Sequence, residues 1–207
     1  MIVTSVQDAV DAFARGEVVA VPTDTVYGFV CSPFDAGAIE EIYRLKARPK
    51  ALELTLLAPS AKSIEDWIVW TPEAQHLAAA FWPGALSIIS EVARPPEGML
   101  LPLAGHTLSV RVPALEWLLQ FLARVGPVAS TSANRHGEAV PPTAEAIEAL
   151  MGGHGATVVR GMPGEGRAST IIDCAAKRPT LVREGPIPWD TISSVARGPL
   201  GHREAEK

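Results

Sequence analysis

The sequence predicts a single α/β (α+β) domain built on a mixed β-sheet. Three observations carry this. Period-two apolar runs alternate with helical-period stretches along the whole chain, so strands and helices share one core. No Ser/Gly-rich linker divides the chain and no segment repeats. Its 207 residues fit one large domain and suffice to bury a substantial core.

The elements follow in order. In "SVQDAVDAFARGE", Val6, Ala9, Val10 and Phe13 share a helical face, Ser5 caps the start, and Gly16 ends it in the left-handed conformation. "EVVAV" is a strand. "DAGAIEEIYRLKAR" is a second helix with Ile39, Ile42 and Leu45 on one side. "LELTLLAP" is a strand, and "TPEAQHLAAAFW" sets Ala74, Leu77, Ala78 and Phe81 at helical spacing. "ALSIISEV" and "HTLSVRVP" are strands. "ALEWLLQFLARVG" is an amphipathic helix through Leu115, Leu118, Leu119 and Leu122. "PVASTSA" begins as a strand, and "TAEAIEALMGG" is a helix capped by Thr143 and stopped by its glycine pair. "ATVVR", "STIIDC" and "TLVRE" are further strands. The domain is expected over residues 1–197, with residues 198–207 as a polar C-terminal tail.

Bulk properties narrow the function. A net charge of −5 argues against general nucleic-acid binding and leaves room only for a local basic patch. Cys31 and Cys174 have no metal-ligand spacing and suit free thiols in a reducing compartment. The first residues lack the basic and apolar regions of a signal peptide, and no apolar run approaches the roughly 18 residues of a membrane span. A cytoplasmic protein with no membrane partner is expected.

Several polar clusters interrupt this pattern. "PTDTVYG", Pro22 to Gly28, follows a strand and places two threonines and an aspartate where the chain turns. It reads either as a self-bonded turn or as a substrate-binding edge. "RLKARPK" gathers Arg44, Lys46, Arg48 and Lys50; these cations suit a helix C-terminus or a clamp for phosphate oxygens. In "HTLSVRVP", Leu108, Val110 and Val112 alternate with Thr107, Ser109 and Arg111, so Thr107 and Arg111 share a face. That face is either solvated or the floor of a polar cleft. Arg111 could grip a carboxylate or phosphate there, and replacing it with Ala is expected to leave the fold nearly intact. "STSANRHGE" crowds Ser130, Thr131, Ser132 and Asn134 at a strand end, as a bonded turn or as a holder for a charged ligand or metal-bound phosphate. "GMPGEGRASTIID" carries Gly161, Gly164 and Gly166, which let backbone amides approach an anion. Arg183 in "LVREGPIP" is another cation at a strand end. There is no P-loop, GxGxxG, HExxH or GxSxG, and the Trp residues are not interleaved with basic clusters.

In their order, "PTDTVYG", "KARP", "FWPGALS", "SVRVPA", "STSAN", "STIID" and "LVREGPIP" resemble the YrdC-like family, the threonylcarbamoyl-AMP synthases, over roughly Val18 to Ile187. The resemblance implies a twisted mixed sheet flanked by helices around a deep, positively lined cavity. It implies a nucleotidyltransferase that joins L-threonine, bicarbonate and ATP into threonylcarbamoyl-AMP and pyrophosphate. The product would pass to a separate tRNA threonylcarbamoyl transferase complex for the threonylcarbamoyladenosine modification, with direct RNA binding weak or absent. The chain looks like the short form.

By the same resemblance, Thr25, Arg111, Ser130 and Ser169 are threonine-binding positions. Lys46 and Arg48 match the Lys-x-Arg pair on ATP, and Ser132 and Asn134 match the Ser-x-Asn pair near the phosphates and Mg2+. Lys46, Arg48, Ser132 and Asn134 are thus the implied catalytic set. Thr107, Val140 and Arg183 complete the ATP contacts. The chain departs from the family where Leu52 stands for a frequent Asn or Lys near ATP, and where Leu57 stands for a common His near threonine. Two other readings remain at this stage: a non-catalytic RNA-binding paralogue, and a carbamoyl-adenylate enzyme acting on another substrate.

Overall fold

The computed structural model describes residues 1–47, 54–103, 105–151, 157–164 and 166–196. Arg48, Lys50, Leu52 and the tail 198–207 lie outside the described residues. Along the chain come β1 (Ile2–Val3), α1 (Val6–Ala14), β2 (Val19–Val21), β3 (Gly28–Cys31), α2 (Ala36–Lys46) and β4 (Thr55–Leu57). After a 3-10 turn at Ala61–Ile64 follow α3 (Pro72–Phe81), β5 (Leu86–Glu91), β6 (Thr107–Arg111), α4 (Glu116–Val125) and β7 (Val128–Ser132). The last elements are α5 (Ala144–Met151), β8 (Thr157–Val159), β9 (Thr170–Asp173), β10 (Thr180–Arg183) and α6 (Trp189–Ala196).

Among the described residues the strands form one sheet in the order β1-β8-β2-β3-β7-β4-β6-β5-β9-β10. The sheet is mixed, as expected: β4 runs parallel to β6 and β5 to β9, whereas β3–β7, β7–β4 and β5–β6 are antiparallel.

Four of the five expected helices start on a side chain the sequence offers, Thr143 among them, whereas α4 starts at Leu115 with no side-chain cap. Ser5 accepts from the Asp8 N–H, Asp35 from Ala38 and Thr71 from Ala74. The second helix ends at Lys46, two residues short of the predicted span, with Ala47 in the left-handed region at φ 47°. Three elements escaped the sequence reading. β1 is only two residues long, and β3 (GFVC) is buried throughout and shows no alternation. α6 follows "GPIP", a turn-rich stretch, and anchors itself chiefly through Ile192 and Ala196.

Period two splits the side chains between two apolar layers. Val19, Val21, Val30, Leu57 and Val128 pack under Ala9 and Ala12 of α1 and Leu118, Phe121 and Leu122 of α4. Ala20, Phe29, Leu56, Ala129 and Val110 face the other way, against Ile39 and Ile42 of α2, Leu77 of α3, Ile147 of α5 and Ile192 of α6. Cys31 and Cys174 are buried, and loss of hydration pushes both thiols up to about 12, with nearby Asp35 and Asp173 adding to the effect. The thiolate is the reactive form. Neither cysteine is expected to react with a water-soluble maleimide at pH 8 while the protein is folded, and both should react after denaturation. Labelling of the native protein would contradict this placement.

Candidate functional site

The layer under α1 and α4 covers only part of its sheet face. Beyond it, the same face carries hydroxyls. Register sets Val128, Leu57 and Arg111 in one row across β7, β4 and β6, and Ser130, Thr55 and Ser109 in the next. Ser132 lies opposite Gly28 on β3, where there is no side chain. Above these rows is a pocket of about 170 Å³ whose lining includes Thr25, Thr55, Leu57, Ser87, Arg111, Ser130, Ser132, Ser169 and Arg183. It is a polar cleft, so the cleft reading of the "HTLSVRVP" face holds and the solvated one does not: Ser109 and Arg111 are both buried. A larger hollow of about 620 Å³ beside Trp70 and Trp82 is mainly apolar and lacks converging cations. The smaller pocket is therefore the candidate site, because anion chemistry needs convergent donors more than volume.

Arg111 is the organising group. It is 5% exposed. Its Nε donates to the Gly84 carbonyl (2.9 Å), Nη1 to Thr25 Oγ1 (2.9 Å) and Nη2 to Asp24 Oδ1 (2.6 Å). Burial lowers its pKa, and the Asp24 carboxylate opposes that shift. A guanidinium has five N–H groups, so among the described residues one on each Nη is left for a ligand. Asp24 also corrects one expectation. Arg111 is a buried, ion-paired residue, so truncating it is not structurally neutral.

The "PTDTVYG" stretch is both things its sequence suggested: a self-bonded turn and an edge of the site. Thr23 Oγ1 accepts from the Thr25 and Val26 N–H groups and donates to the Val26 carbonyl (2.7 Å). It also lies 2.8 Å from Thr25 Oγ1. Arg111 donates to Thr25, and in the contact between the two threonines either hydroxyl can be the donor, since Thr23 Oγ1 already accepts two N–H groups. Thr25 also lines the pocket, within reach of a ligand's polar groups.

The glycine run does something other than cradle an anion. Gly164 and Gly166 donate their N–H groups to the Thr23 and Thr25 carbonyls (2.9 and 3.2 Å). A Cβ on Gly164 would sit 2.0 Å from the Asp24 carbonyl oxygen. Only glycine permits that approach, so this run is a backbone strap over the turn.

The cations of "RLKARPK" separate. Arg44 pairs with Glu41 on the surface. Lys46 turns inward and is buried. Its Nζ donates to Ser132 O (2.5 Å), Asn134 Oδ1 (2.7 Å) and Asn134 O (3.0 Å), with Ser132 Oγ at 3.3 Å. Lys46 of the Lys-x-Arg pair thus meets the Ser-x-Asn pair in space. Ser132 and Asn134 offer hard oxygens of the kind magnesium takes. Those oxygens already converge on an ammonium, and a divalent ion bound to them would lie against that charge. As placed here they face the Lys46 ammonium, and among the described residues no group of three or more His, Cys, Asp or Glu could hold a metal ion.

Arg183 ends β10 and donates through Nε and Nη2 to the Ser169 carbonyl (3.1 and 2.8 Å). Partial burial and the neighbouring Arg111 charge lower its pKa. Ser169 Oγ is 2.9 Å from Ser87 Oγ. Of the sequence-predicted residues, Thr25, Arg111, Ser130, Ser132, Ser169 and Arg183 line the pocket together. Lys46 and Asn134 stand behind Ser132. Thr107 opens β6 opposite Glu91, and Val140 packs on the larger core; neither lines the pocket. Leu57 does line it while belonging to the smaller core. Sequence reasoning missed Thr23, Asp24, Thr55 and Ser87. The first two lay in the stretch already singled out. Thr55 was legible as the period-two neighbour of Leu57. Ser87, a lone small polar residue in an apolar strand, gives no signal of its own.

Gly28 supplies a test of the floor. A Cβ there would lie 3.3 Å from Ser130 Oγ. Gly28→Ala is expected to cost about 1 kcal/mol of stability through overpacking and to weaken binding of a small amino acid about tenfold. Unchanged affinity by calorimetry would show that ligands do not reach this floor.

A mixed-sheet α/β fold with a hydroxyl-lined pocket that Arg111 and Arg183 also line suits small anionic molecules. The chain belongs to the Sua5/YciO/YrdC family, whose model, described as "Telomere recombination", matches residues 11–185. A putative threonylcarbamoyl-AMP synthase of Mycobacterium tuberculosis is 35% identical over 189 residues, covering 90% of this chain and 87% of that protein. The threonylcarbamoyl-AMP synthase of Bacillus subtilis is 34% identical over 189 residues, and there the match spans 54% of the relative's length. Pyrococcus abyssi Sua5 complexed with L-threonine superposes with a TM-score of 0.85 at 29% identity, covering 94% of this chain and 60% of that one. Among the described residues no helix is long and apolar enough to cross a membrane.

Proposed function

We propose that this protein is an L-threonylcarbamoyl-AMP synthase, a nucleotidyltransferase that makes the activated intermediate for threonylcarbamoyladenosine in tRNA. The observation that carries this reading is the convergence of Arg111, Arg183, Thr25, Ser130 and Ser169 on one small pocket. The relatives' names and the threonine complex of the Pyrococcus protein support it.

Threonine's amine and bicarbonate first join as a carbamate, with loss of water. A carbamate oxygen then attacks the α-phosphorus of ATP in line, and pyrophosphate leaves. Both partners are anions, so charge compensation and alignment supply the catalysis. The two free N–H groups of Arg111 take threonine's carboxylate. Thr25 Oγ1 accepts from its nitrogen, and Ser130 and Ser169 orient the remaining polar groups. Arg183 and Lys46, together with Arg48, offset the charge of the triphosphate, as cations do at other phosphoryl-transfer sites. Magnesium bound with the nucleotide would be held largely by phosphate oxygens, with Ser132 and Asn134 assisting, and would supply further charge compensation. The product then passes to a separate tRNA-modifying transferase.

Pyrophosphate release is expected only when threonine, bicarbonate and ATP are all present. Omitting each in turn tests this, and release without threonine would overturn the assignment.

A further inference from the structure

Arg111 is held by acceptors on two separate stretches, residues 24–25 and Gly84, and one acceptor is charged. Asp24 Oδ1 lies 2.6 Å from Nη2. The Asp24 side chain is 16% exposed, and Asp24 is absent from the pocket lining. It therefore approaches the guanidinium from outside the ligand space. Its own backbone is fixed too: the strap places Gly164 against the Asp24 carbonyl so closely that a Cβ would come within 2.0 Å. This is more constraint than charge balance alone requires. A buried arginine needs a counter-charge, but a counter-charge can act from many positions. A planar fork that must meet a carboxylate through its last two N–H groups needs its plane set.

We propose that Asp24 is a positioning residue: its Oδ1, held in place by the glycine strap, fixes the plane of the Arg111 guanidinium for a ligand carboxylate. This rests on the reading of Arg111 as the holder of threonine's carboxylate. Geometry and charge are separable by substitution. Asp24→Asn keeps an oxygen at the same reach and loses the charge. Asp24→Glu keeps the charge and moves the oxygen by one methylene.

The test is threonine affinity by calorimetry and threonine KM against ATP KM for the full chain, with melting curves. Asp24→Asn is expected to stay within about threefold of wild type, and Asp24→Glu to lose about tenfold or more in threonine affinity, the scale of one misaligned charge-assisted bond. The ATP KM should move less than about twofold in either, since the nucleotide side does not depend on this plane. Gly164→Ala, which displaces the Asp24 peptide without altering its carboxylate, should reproduce the Asp24→Glu defect. The reverse order, Asn damaging and Glu harmless, would make Asp24 a counter-charge and overturn the proposal. So would equal effects of the two, or equal loss on the ATP side. Arg111→Ala separates the two levels. If it leaves threonine binding intact, the carboxylate reading of the pocket fails. If it removes binding while Asp24→Glu binds normally, only the role of Asp24 fails.

Discussion

Arg111→Ala is expected to lower the melting temperature and threonine binding together. The residue is buried and ion-paired, with Asp24 on the far side of the bond. Breaking a buried pair from one side costs about 3–5 kcal/mol, and the lower end applies because Asp24 keeps some access to water. At roughly 2–4 °C per kcal/mol for a domain of this size, about 3 kcal/mol lowers the melting temperature by about 6–12 °C. Loss of the carboxylate clamp adds a fall of about 10- to 150-fold in threonine-dependent turnover efficiency, the equivalent of about 1.5–3 kcal/mol. The two effects separate in a double variant. Arg111→Met combined with Asp24→Leu removes both charges and should recover much of the stability with none of the binding. A single variant that melts like wild type would mean that the pair contributes nothing. A double variant that binds threonine would mean that the clamp lies elsewhere.

Lys46→Met carries the second large effect, on the nucleotide side. The ammonium gathers the Ser132 and Asn134 carbonyls and the Asn134 amide oxygen. Removing it takes the donor from the part-buried Asn134 carbonyl, which costs about 1–3 kcal/mol, while Ser132 O keeps the Asn134 N–H and Asn134 Oδ1 keeps the Ser132 hydroxyl. It also takes a cation from beside the proposed triphosphate site, where losing one preorganised donor typically costs roughly 10²–10³ in rate. Pyrophosphate release should fall by that factor, while threonine affinity stays within about threefold because Arg111 and Thr25 are untouched. Equal losses for both substrates would show that Lys46 only holds the 132–134 loop. Normal turnover would remove it from the site.

Much of this was legible in the chain. Alternation in "HTLSVRVP" put Arg111 on the polar face of β6, and helical spacing gave the buried faces of α2 and α3. The site residues that line the pocket came through a resemblance resting on ordered motifs, each weak alone. What stayed hidden has physical causes. A single sequence shows which face a side chain points to, but not what covers that face. Arg111 therefore read as replaceable, whereas Asp24 and Gly84 enclose it. The glycines of "GMPGEG" read as an anion nest because close approach is all a glycine signals. Here the partner is the peptide of Asp24. β3 was lost because a strand buried on both faces carries no period.

The place of β7 in the sheet has a consequence in time. β3 and β4 follow one another in the chain, yet they are not neighbours; β7, made about seventy residues after β4, lies between them and pairs with both. A nascent chain that has not reached residue 132 holds two apolar strands whose shared partner does not yet exist. Zipping from the N-terminus is therefore barred, and the two strands must stay apart until a distant segment enters the gap. Such non-local closure is slow and leaves strand edges open to other chains meanwhile. Because Ser130 and Ser132 ride on that inserted strand, the pocket floor is completed by the same event that closes the sheet. A half-made chain can neither bind its ligand nor be stabilised by it.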